Sequence, residues 1–201
     1  MNNENDNKYF LTNIDELTDA SLIDYLLQYG VPASTAHKYL QQVKLYNRDD
    51  RKHFLTVGMV NEDEGYELRS SELSDCIHGE RDVSFIRGLQ LVPPHLHVFL
   101  DMMDFLLVVS RQPGEAFVGD AIVLHSLHLL HKVPPYVYQY DYDMLFSWMP
   151  NTHEGMMART RLSAICATEP RLRHRPQNSL YADCKTVNAG FYRQPGPIQF
   201  F

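Results

Sequence analysis

Hydrophobic and polar positions change their spacing along the chain, and the change falls at Pro93-Pro94. Before these prolines, short amphipathic segments precede a hairpin-type alternation, whereas after them apolar strand segments alternate with helical spacing. The order predicts a small α+β lobe followed by a mainly parallel sheet with helices on both faces. We therefore predict a flexible leader at 1–14, an N-terminal α+β lobe at 15–94 and an α/β domain at 95–201.

The N-terminal lobe combines two predicted helices with a predicted β-hairpin. Apolar residues recur at helical spacing after Thr18–Ser21 and again from Ser34 to about Gln42, with Gly30 ending the first helix. His53–Val60 and Tyr66–Arg69 are rich in β-formers and flank a glycine-containing turn. This pattern is typical of an antiparallel hairpin.

The second part follows the order strand, helix, strand, helix, strand, helix. Its predicted strands are His95–Leu100, Ala121–Leu124 and Met144–Met149. Its predicted helices are Met102–Ser110, Leu127–Lys132, which we expect to stop at Pro134-Pro135, and Gly155–Ala167. We expect the strands to be neighbours in one sheet and a binding site to form at their carboxyl ends.

The end of the first of these strands resembles a known motif. Val98–Leu106 is similar to the first motif of the Toprim (topoisomerase–primase) domain in primases of bacteria and conjugative elements. In that motif a strand ends in Glu-Gly, and an aspartate follows three residues after the glycine. Leu100 stands at the catalytic glutamate, Asp101 at the glycine and Asp104 at the aspartate.

The next two strand ends continue the resemblance with substitutions. Ala121–Ser126 looks like the second strand of the family, with His125 in place of an asparagine. The third strand should lead into Asp-x-Asp-x-x-Gly, the metal-binding pair. Here Pro150 and Thr152 occupy the two aspartate positions, and Gly155 retains the glycine.

A segment near the C-terminus resembles the mobile-element branch of this family. Tyr181–Ala189 is similar to its Lys-Asp-Val-Asn-Glu segment: Lys185, Val187 and Asn188 match, whereas both acids are replaced. The similarity spans most of residues 20–190. It implies a Toprim-type α/β fold of bacterial, mobile-element origin.

The substitutions change what the family's chemistry can do. Toprim domains hold a divalent metal with carboxylates, and the metal stabilises charge on a transferring phosphoryl group. Leucine and proline offer no side-chain oxygen, and threonine offers a neutral hydroxyl. We therefore expect no catalytic residue, bound metal or cofactor. The alternative is an active Mg²⁺-dependent primase or nuclease that uses relocated acids, Asp101, Asp104 and Glu154.

Charge is distributed unevenly along the chain. From Arg159 onward there are seven basic and two acidic residues, so the net charge of −7 leaves about −12 for the part before it. Such asymmetry can mark one face for a polyanion. The candidate nucleic-acid-binding residues are Arg159, Arg161, Arg171, Arg173, Arg175 and Lys185.

Two sequence patterns refine this candidate surface. On a strand, Arg171, Arg173 and Arg175 would share one face, which suits either a phosphate backbone or a solvated edge. Tyr136–Tyr142 alternates regularly in tyrosines and could supply stacking platforms for bases, or form a half-buried strand or extended loop.

Taken together, these features predict a non-catalytic, primase-like module for DNA replication, mobilisation or genome maintenance. Its expected partner is single-stranded nucleic acid or a replication or mobilisation protein; a purely protein-interaction module is the third possibility. The three separated cysteines, the polar N-terminus and the lack of a long apolar run predict a cytoplasmic protein without a membrane span. The oligomeric state is left open.

Overall fold

The computed structural model describes residues 8–73 and 76–191. The chain separates into two compact units after Asp82, and each unit has its own five-stranded sheet. Among the described residues, no helix is both long and apolar enough to cross a membrane. The division falls before the predicted boundary at Pro94, because Ser84–Ile86 already pairs with a strand of the second sheet.

The first unit contains an antiparallel sheet with two short helices. Its elements, in chain order, are β1 (Tyr9–Glu16), α1 (Ala20–Gln28), α2 (Ala33–Tyr39), β2 (Gln41–Asn47), β3 (Lys52–Val60), β4 (Tyr66–Arg69) and β5 (Cys76–His78). The strands lie in sequence order and every pairing is antiparallel. Asp19 caps the start of α1, because its carboxylate accepts hydrogen bonds from the backbone N–H groups of Ser21 and Leu22.

Two predictions for this unit are wrong. The described part of the leader forms β1 rather than a frayed end; residues 1–7 lie outside the described residues. The second helix ends at Tyr39, and the following residues form β2 instead of continuing it. The two errors have one cause, since β2 provides the hydrogen-bonding partner that β1 needs, and Leu11 and Ile14 then pack against the buried Val43 and Leu45.

The second unit contains a mixed sheet with helices. Its elements are β6 (Ser84–Ile86), β7 (His95–Phe99), α3 (Met102–Val109), β8 (Asp120–Val123), α4 (Val133–Gln139), β9 (Met144–Trp148), α5 (His153–Cys166), β10 (Arg173–Pro176) and α6 (Val187–Phe191), with 3₁₀ turns at Pro113–Glu115, Leu127–Lys132 and Asn178–Tyr181. The strand order is β10-β9-β7-β8-β6. Three pairings are parallel, and β6 runs antiparallel to β8. With an antiparallel first sheet and a mixed second one, the chain has a mixed α/β fold.

Helices cover both faces of the second sheet. Because side chains alternate along a strand, Leu96 and Val98 of β7 face one side, where they join a buried cluster with residues of α4 and α5. Phe99 faces the other side and makes an edge-to-face contact with Phe105 of α3, at 5.6 Å between ring centroids. Trp148 of β9 lies on this second side and contacts Phe191 of α6.

The expected helix stop at Pro134-Pro135 is wrong. These prolines lie in the first turn of α4. In that turn backbone N–H groups have no intrahelical partner, so proline begins the helix instead of breaking it. The 3₁₀ turn Leu127–Lys132 therefore leads directly into α4.

A fully buried histidine lies in the aromatic face of the sheet. The ring of His97 stacks on Phe117 and Phe146, and its Nδ1 accepts a hydrogen bond from Trp148 Nε1 at 3.2 Å. Burial lowers the pKa of His97 from 6.5 to about 3. The folded protein therefore holds this imidazole neutral.

Replacement of His97 by glutamine should change how stability depends on pH. The unfolded chain protonates His97 below about pH 6.5 and the folded chain does so only near pH 3, so the folded state loses stability as the pH falls between these values. The advantage of the wild type over His97→Gln should shrink by about 1.4 kcal/mol per pH unit in this range. Urea unfolding followed by Trp148 fluorescence measures it.

A matched control is His153→Gln, at the exposed first residue of α5. The stability difference from the wild type should change more steeply with pH for His97→Gln than for this variant, because only His97 is fully buried. A difference between wild type and His97→Gln that does not change from pH 6.5 to pH 4 would show that His97 is not held neutral by the fold.

Candidate functional site

The carboxyl ends of β7, β8 and β9 lie side by side, as the sequence predicts. The chain leaves β7 to form β8 on one side of it and later forms β9 on the other side. The point where the strand order reverses therefore lies between β7 and β9. A crevice outside the carboxyl ends at such a point is the usual ligand site of an open α/β sheet.

The loop after β7 forms the first wall of this crevice. Leu100 is half-buried and packs against the hydrophobic core. The Asp101 carboxylate caps α3 by accepting a hydrogen bond from Met103 N at 2.7 Å. Asp104 is 6% exposed and accepts a hydrogen bond from Asn188 N at 2.9 Å. Both acids therefore hold backbone amides.

The loop after β9 forms the opposite wall, and its two family metal positions make structural contacts. The Pro150 carbonyl accepts a hydrogen bond from Arg159 Nη1 at 2.9 Å. Thr152 caps α5, because its hydroxyl accepts a hydrogen bond from Gly155 N at 3.2 Å. A Cβ atom on Gly155 would overlap the Pro150 carbonyl oxygen, so glycine allows the first turn of α5 to approach this loop closely.

A later part of the chain, residues 178–188, connects the two walls; we refer to it as the closing segment. The Asn151 amide donates to the carbonyl oxygens of Tyr181 and Cys184, both at 3.0 Å, and of Asn178 at 3.5 Å. Asn151 N also donates to Lys185 O at 2.7 Å. The loop after β9 is thereby held against the closing segment by several backbone-directed hydrogen bonds.

Both ends of the closing segment reach the crevice. The Tyr181 hydroxyl donates to Met149 O at the end of β9, at 2.8 Å, and Asn188 N donates to Asp104 in the first turn of α3. Burial, followed by the charge of Asp104, raises the pKa of Tyr181. The segment therefore bonds to both sides of the crevice and bridges its two walls.

These residues do not fit the divalent metal that the resemblance implies for active members. Leu100 has no side-chain oxygen, and the oxygens at Pro150 and Thr152 already accept hydrogen bonds from the protein. The relocated acids do not assemble either: Glu154 is exposed on α5, and within residues 8–73 and 76–191 no three His, Cys, Asp or Glu side chains converge to hold a metal ion.

His125 follows β8 with a left-handed backbone, at a φ of 58°. Its Nε2 hydrogen-bonds the hydroxyl of Ser84, which is buried on β6, at 2.8 Å. The contact ties the edge strand to the end of β8. The next residue, Ser126, caps the following 3₁₀ turn by accepting a hydrogen bond from His128 N.

The candidate basic residues occupy different surroundings. Arg159 is half-buried and donates to the backbone of the loop after β9, whereas Arg161, Arg171, Arg173, Arg175 and Lys185 are exposed. The strand predicted for the arginine run begins at Arg173. Arg159 therefore binds the protein's own backbone, and the candidate nucleic-acid surface is reduced to the other five residues.

The arginines of β10 lie on the side of the sheet opposite α5. His174 points toward α5, since its ring nitrogens hydrogen-bond Ser163 of α5 at 2.6 Å and Ser147 of β9 at 2.8 Å. Burial lowers the pKa of His174 to about 4. Alternation along the strand then directs Arg173 and Arg175 to the other side. Arg161, which belongs to α5, is therefore not part of the same row.

A buried network at the amino edge of the sheet was missed in the sequence. Asp120 is fully buried at the start of β8 and accepts hydrogen bonds from Arg87 Nη1 at 2.9 Å, Tyr142 Oη at 2.8 Å and Gly88 N at 2.8 Å. Burial, followed by the hydrogen bond to Asp120, raises the pKa of Tyr142. The sequence feature that could have indicated this network is an aspartate directly before a wholly apolar segment. A carboxylate buried at such a position needs a hydrogen-bond or ion-pair partner.

The tyrosines of 136–142 do not form a strand or a row of platforms. Tyr136 and Tyr138 belong to α4, and Tyr140 follows it. Tyr136 packs on Phe85, and the Tyr140 hydroxyl accepts a hydrogen bond from Arg87. Tyr138, at 57% exposure, is the one tyrosine of this group with a largely exposed ring.

Comparisons with known proteins agree on the fold. The primase fragment of the bacteriophage T7 primase-helicase protein matches with a TM-score of 0.59 at 13% identity, over 83% of this chain and 68% of that chain. A chain from the structure of the bacteriophage T7 lagging-strand DNA polymerase interacting with primase domains of two gp4 subunits, bound to an RNA/DNA hybrid and dTTP, matches with a TM-score of 0.54 at 13% identity. That match covers 92% of this chain and 100% of that one.

Sequence comparisons add a family match without a function. A family model described as "Domain of unknown function (DUF8464)" matches residues 11–78, within the first unit. No curated protein matches the chain. The chain therefore has a primase-like α/β fold, and its function has to be argued from the contacts described above.

Replacing Gly155 by alanine tests the close contact that holds the loop after β9. In an exposed helix, glycine to alanine stabilises by roughly 1 kcal/mol. Here the new methyl group overlaps the Pro150 carbonyl, so we expect a loss of about 1–3 kcal/mol. Urea unfolding provides the measurement. Met157→Ala, on the exposed side of α5, should stay within about 0.5 kcal/mol of the wild type, and a stabilised Gly155→Ala would contradict the contact.

Proposed function

We propose that the protein is a non-catalytic, primase-like module that binds single-stranded nucleic acid through the row of arginines at the edge strand β10. The observation that carries the proposal is the crevice at the carboxyl ends of β7 and β9. The chain's own closing segment spans it, and the family's metal positions hold Leu100, Pro150 and Thr152.

The loss of catalysis follows from what each oxygen in the crevice binds. A divalent metal needs free anionic oxygens that converge within about 2–2.6 Å of it. Asp101 and Asp104 accept from backbone amides instead, and Thr152 caps α5. An enzyme with relocated acids would have to break a helix cap and the link between α3 and α6 before it could hold a metal.

Charge supports a binding role for the second unit. Residues 1–82 contain sixteen acidic and eight basic residues, whereas residues 83–201 contain nine acidic and ten basic ones. The negative charge of the chain therefore belongs to the first unit. Arg171, Arg173 and Arg175 are exposed; Arg173 and Arg175, at alternate positions of β10, are about 7 Å apart along the strand, and Arg171 lies in the turn that precedes it. An extended single strand presents its phosphates in a similar row.

Protein docking is the second candidate function, and one observation favours it. The loop between β6 and β7 exposes Leu89, Leu91 and Val92, and Val118 beside it is also exposed. Apolar groups clustered on a surface often mark a protein contact. A replication or mobilisation protein would be the partner, and this loop would be the first surface to vary if the nucleic-acid test fails. The expected origin in a bacterial mobile element and the cytoplasmic location stay predictions.

We expect Mg²⁺ and Mn²⁺ to bind this protein no better than they bind an ordinary acidic surface. The reason is that the crevice offers no set of free carboxylates. Isothermal titration calorimetry should show no saturable site at micromolar concentration. A saturable micromolar site that Asp101→Ala or Glu154→Ala abolishes would instead support the enzyme.

Binding to single-stranded DNA and RNA should be detectable at low salt and should weaken steeply as salt rises. Each neutralised phosphate releases counterions, so the log–log slope is roughly −0.7 per contact on a single strand. The combined Arg171→Ala, Arg173→Ala and Arg175→Ala variant should bind weakly and flatten the slope by about two. Fluorescence anisotropy across a salt series provides the measurement.

The charge-matched control is Lys44→Ala, Arg51→Ala and Lys52→Ala, three exposed basic residues of the first unit. It removes the same net charge and should keep the wild-type slope. Absence of binding at low salt, or equal slopes in the two triple variants, would remove the nucleic-acid function from this edge and leave protein docking as the proposed role.

A further inference from the structure

A cleft of about 200 Å³ lies next to the arginine row, at the amino edge of the second sheet. Its lining comes from the end of α4 with the residues after it and from the loop that precedes β10. The groups that the following argument uses are Tyr138, Tyr140, Asp141, Tyr142, Glu169 and Arg171. The cleft is at the opposite edge from the closed crevice.

One side of the cleft is held rigid by the Asp120 network. The Tyr142 hydroxyl donates to the fully buried Asp120, and the Tyr140 hydroxyl accepts from Arg87 at 2.6 Å. The Arg87 guanidinium, which is also paired with Asp120, lies 4.3 Å from the centre of the Tyr140 ring. Two tyrosines of the lining are therefore fixed before any ligand arrives, which lowers the entropic cost of binding.

The rim of the cleft offers an aromatic face. The Tyr138 ring is 57% exposed, and its hydroxyl lies 3.5 Å from that of Thr168 in the loop after α5. An exposed aromatic ring beside a pocket is the usual stacking platform for a base of a single strand.

The polar groups of the cleft suit a base better than a phosphate. Asp141 and Glu169 are among the lining residues, and carboxylates repel phosphate and accept hydrogen bonds. Carboxylates pair with exocyclic amino groups, as in the contact of Glu or Asp with the N4 amino group of cytosine. Thymine and uracil lack an exocyclic amino group and offer carbonyl oxygens instead.

We propose that this cleft binds a nucleobase carrying an exocyclic amino group, stacked on Tyr138, from a single strand whose phosphates follow Arg171, Arg173 and Arg175. The proposal rests on the proposed function. Arg171 belongs to both parts, because it lines the cleft and begins the arginine row. The two parts have different roles. The arginines neutralise phosphates and are independent of base sequence, whereas the cleft discriminates between bases.

The experiment measures anisotropy of labelled dC₁₂ and dT₁₂ at low salt with the wild type, Tyr138→Ala, Tyr138→Phe and Glu169→Ala. The wild type should bind dC₁₂ more tightly than dT₁₂. Tyr138→Ala should lose about fivefold to a hundredfold in affinity for dC₁₂, the range expected for one stacked base, and Tyr138→Phe should retain it because the ring remains. Glu169→Ala should reduce the preference for dC₁₂.

The control is Tyr29→Ala, an exposed tyrosine of α1's C-terminal cap in the first unit, which should bind like the wild type. Equal affinity of the wild type for the two strands, or wild-type affinity of Tyr138→Ala, would overturn the base site. If the triple arginine variant still loses binding in that case, the proposed function stands without the base site. If no strand binds the wild type, both proposals fail together.

Discussion

Where parallel strands end and helices begin, backbone carbonyl and amide groups are left without partners, and the second unit is organised by how it satisfies them. Asp101 and Thr152 cap the two helices that flank the crevice, and Tyr181 and Arg159 bind the carbonyls at the end of β9. The Asn151 amide holds the closing segment in place. A catalytic site at this edge would need the same positions for free carboxylates. In this structure these positions are taken up by caps and backbone-directed hydrogen bonds, and among residues 8–73 and 76–191 no group of three His, Cys, Asp or Glu side chains could hold a metal.

The opposite, amino edge of the second sheet is held by a second hydrogen-bonded network. At the amino edge, the buried carboxylate of Asp120 is bound by the guanidinium of Arg87, whose side chain is largely exposed, and by the hydroxyl of the buried Tyr142. Two close backbone approaches surround this network: a Cβ on Gly88 would overlap Gly119, and a Cβ on Gly119 would overlap His95. These close approaches fix the backbone around the Asp120 network.

The sequence predicts those elements whose signal is local. Three of these elements are the apolar strands β7, β8 and β9, and a fourth is the helix cap at Asp19; none depends on a residue far away in the chain. The alternation of arginines around Leu172 is likewise a local sequence pattern. Elements that depend on distant residues are missed. Residues of β1 form a strand because β2 pairs with them, and Pro134 lies in the first turn of α4 because the preceding 3₁₀ turn leads into that helix.

The candidate site shows the same division between local and distant information. The resemblance to Toprim domains aligns a leucine, a proline and a threonine with acidic positions, and from this the sequence predicts that no metal is bound. The hydrogen bonds that these loops make instead join residues far apart in the chain, such as Asp104 with Asn188 and Tyr181 with Met149. The sequence pattern does not reveal them. The fold is also needed to interpret the charge pattern, because it shows which charged residues belong to the same unit. A chain of net charge −7 is a poor ligand for phosphate as a whole, but exposed charges separated by more than about 10 Å are largely screened at 0.1 M salt. Arg171, Arg173 and Arg175 belong to the near-neutral second unit, so the binding proposal depends on local charge and not on the net charge of the chain.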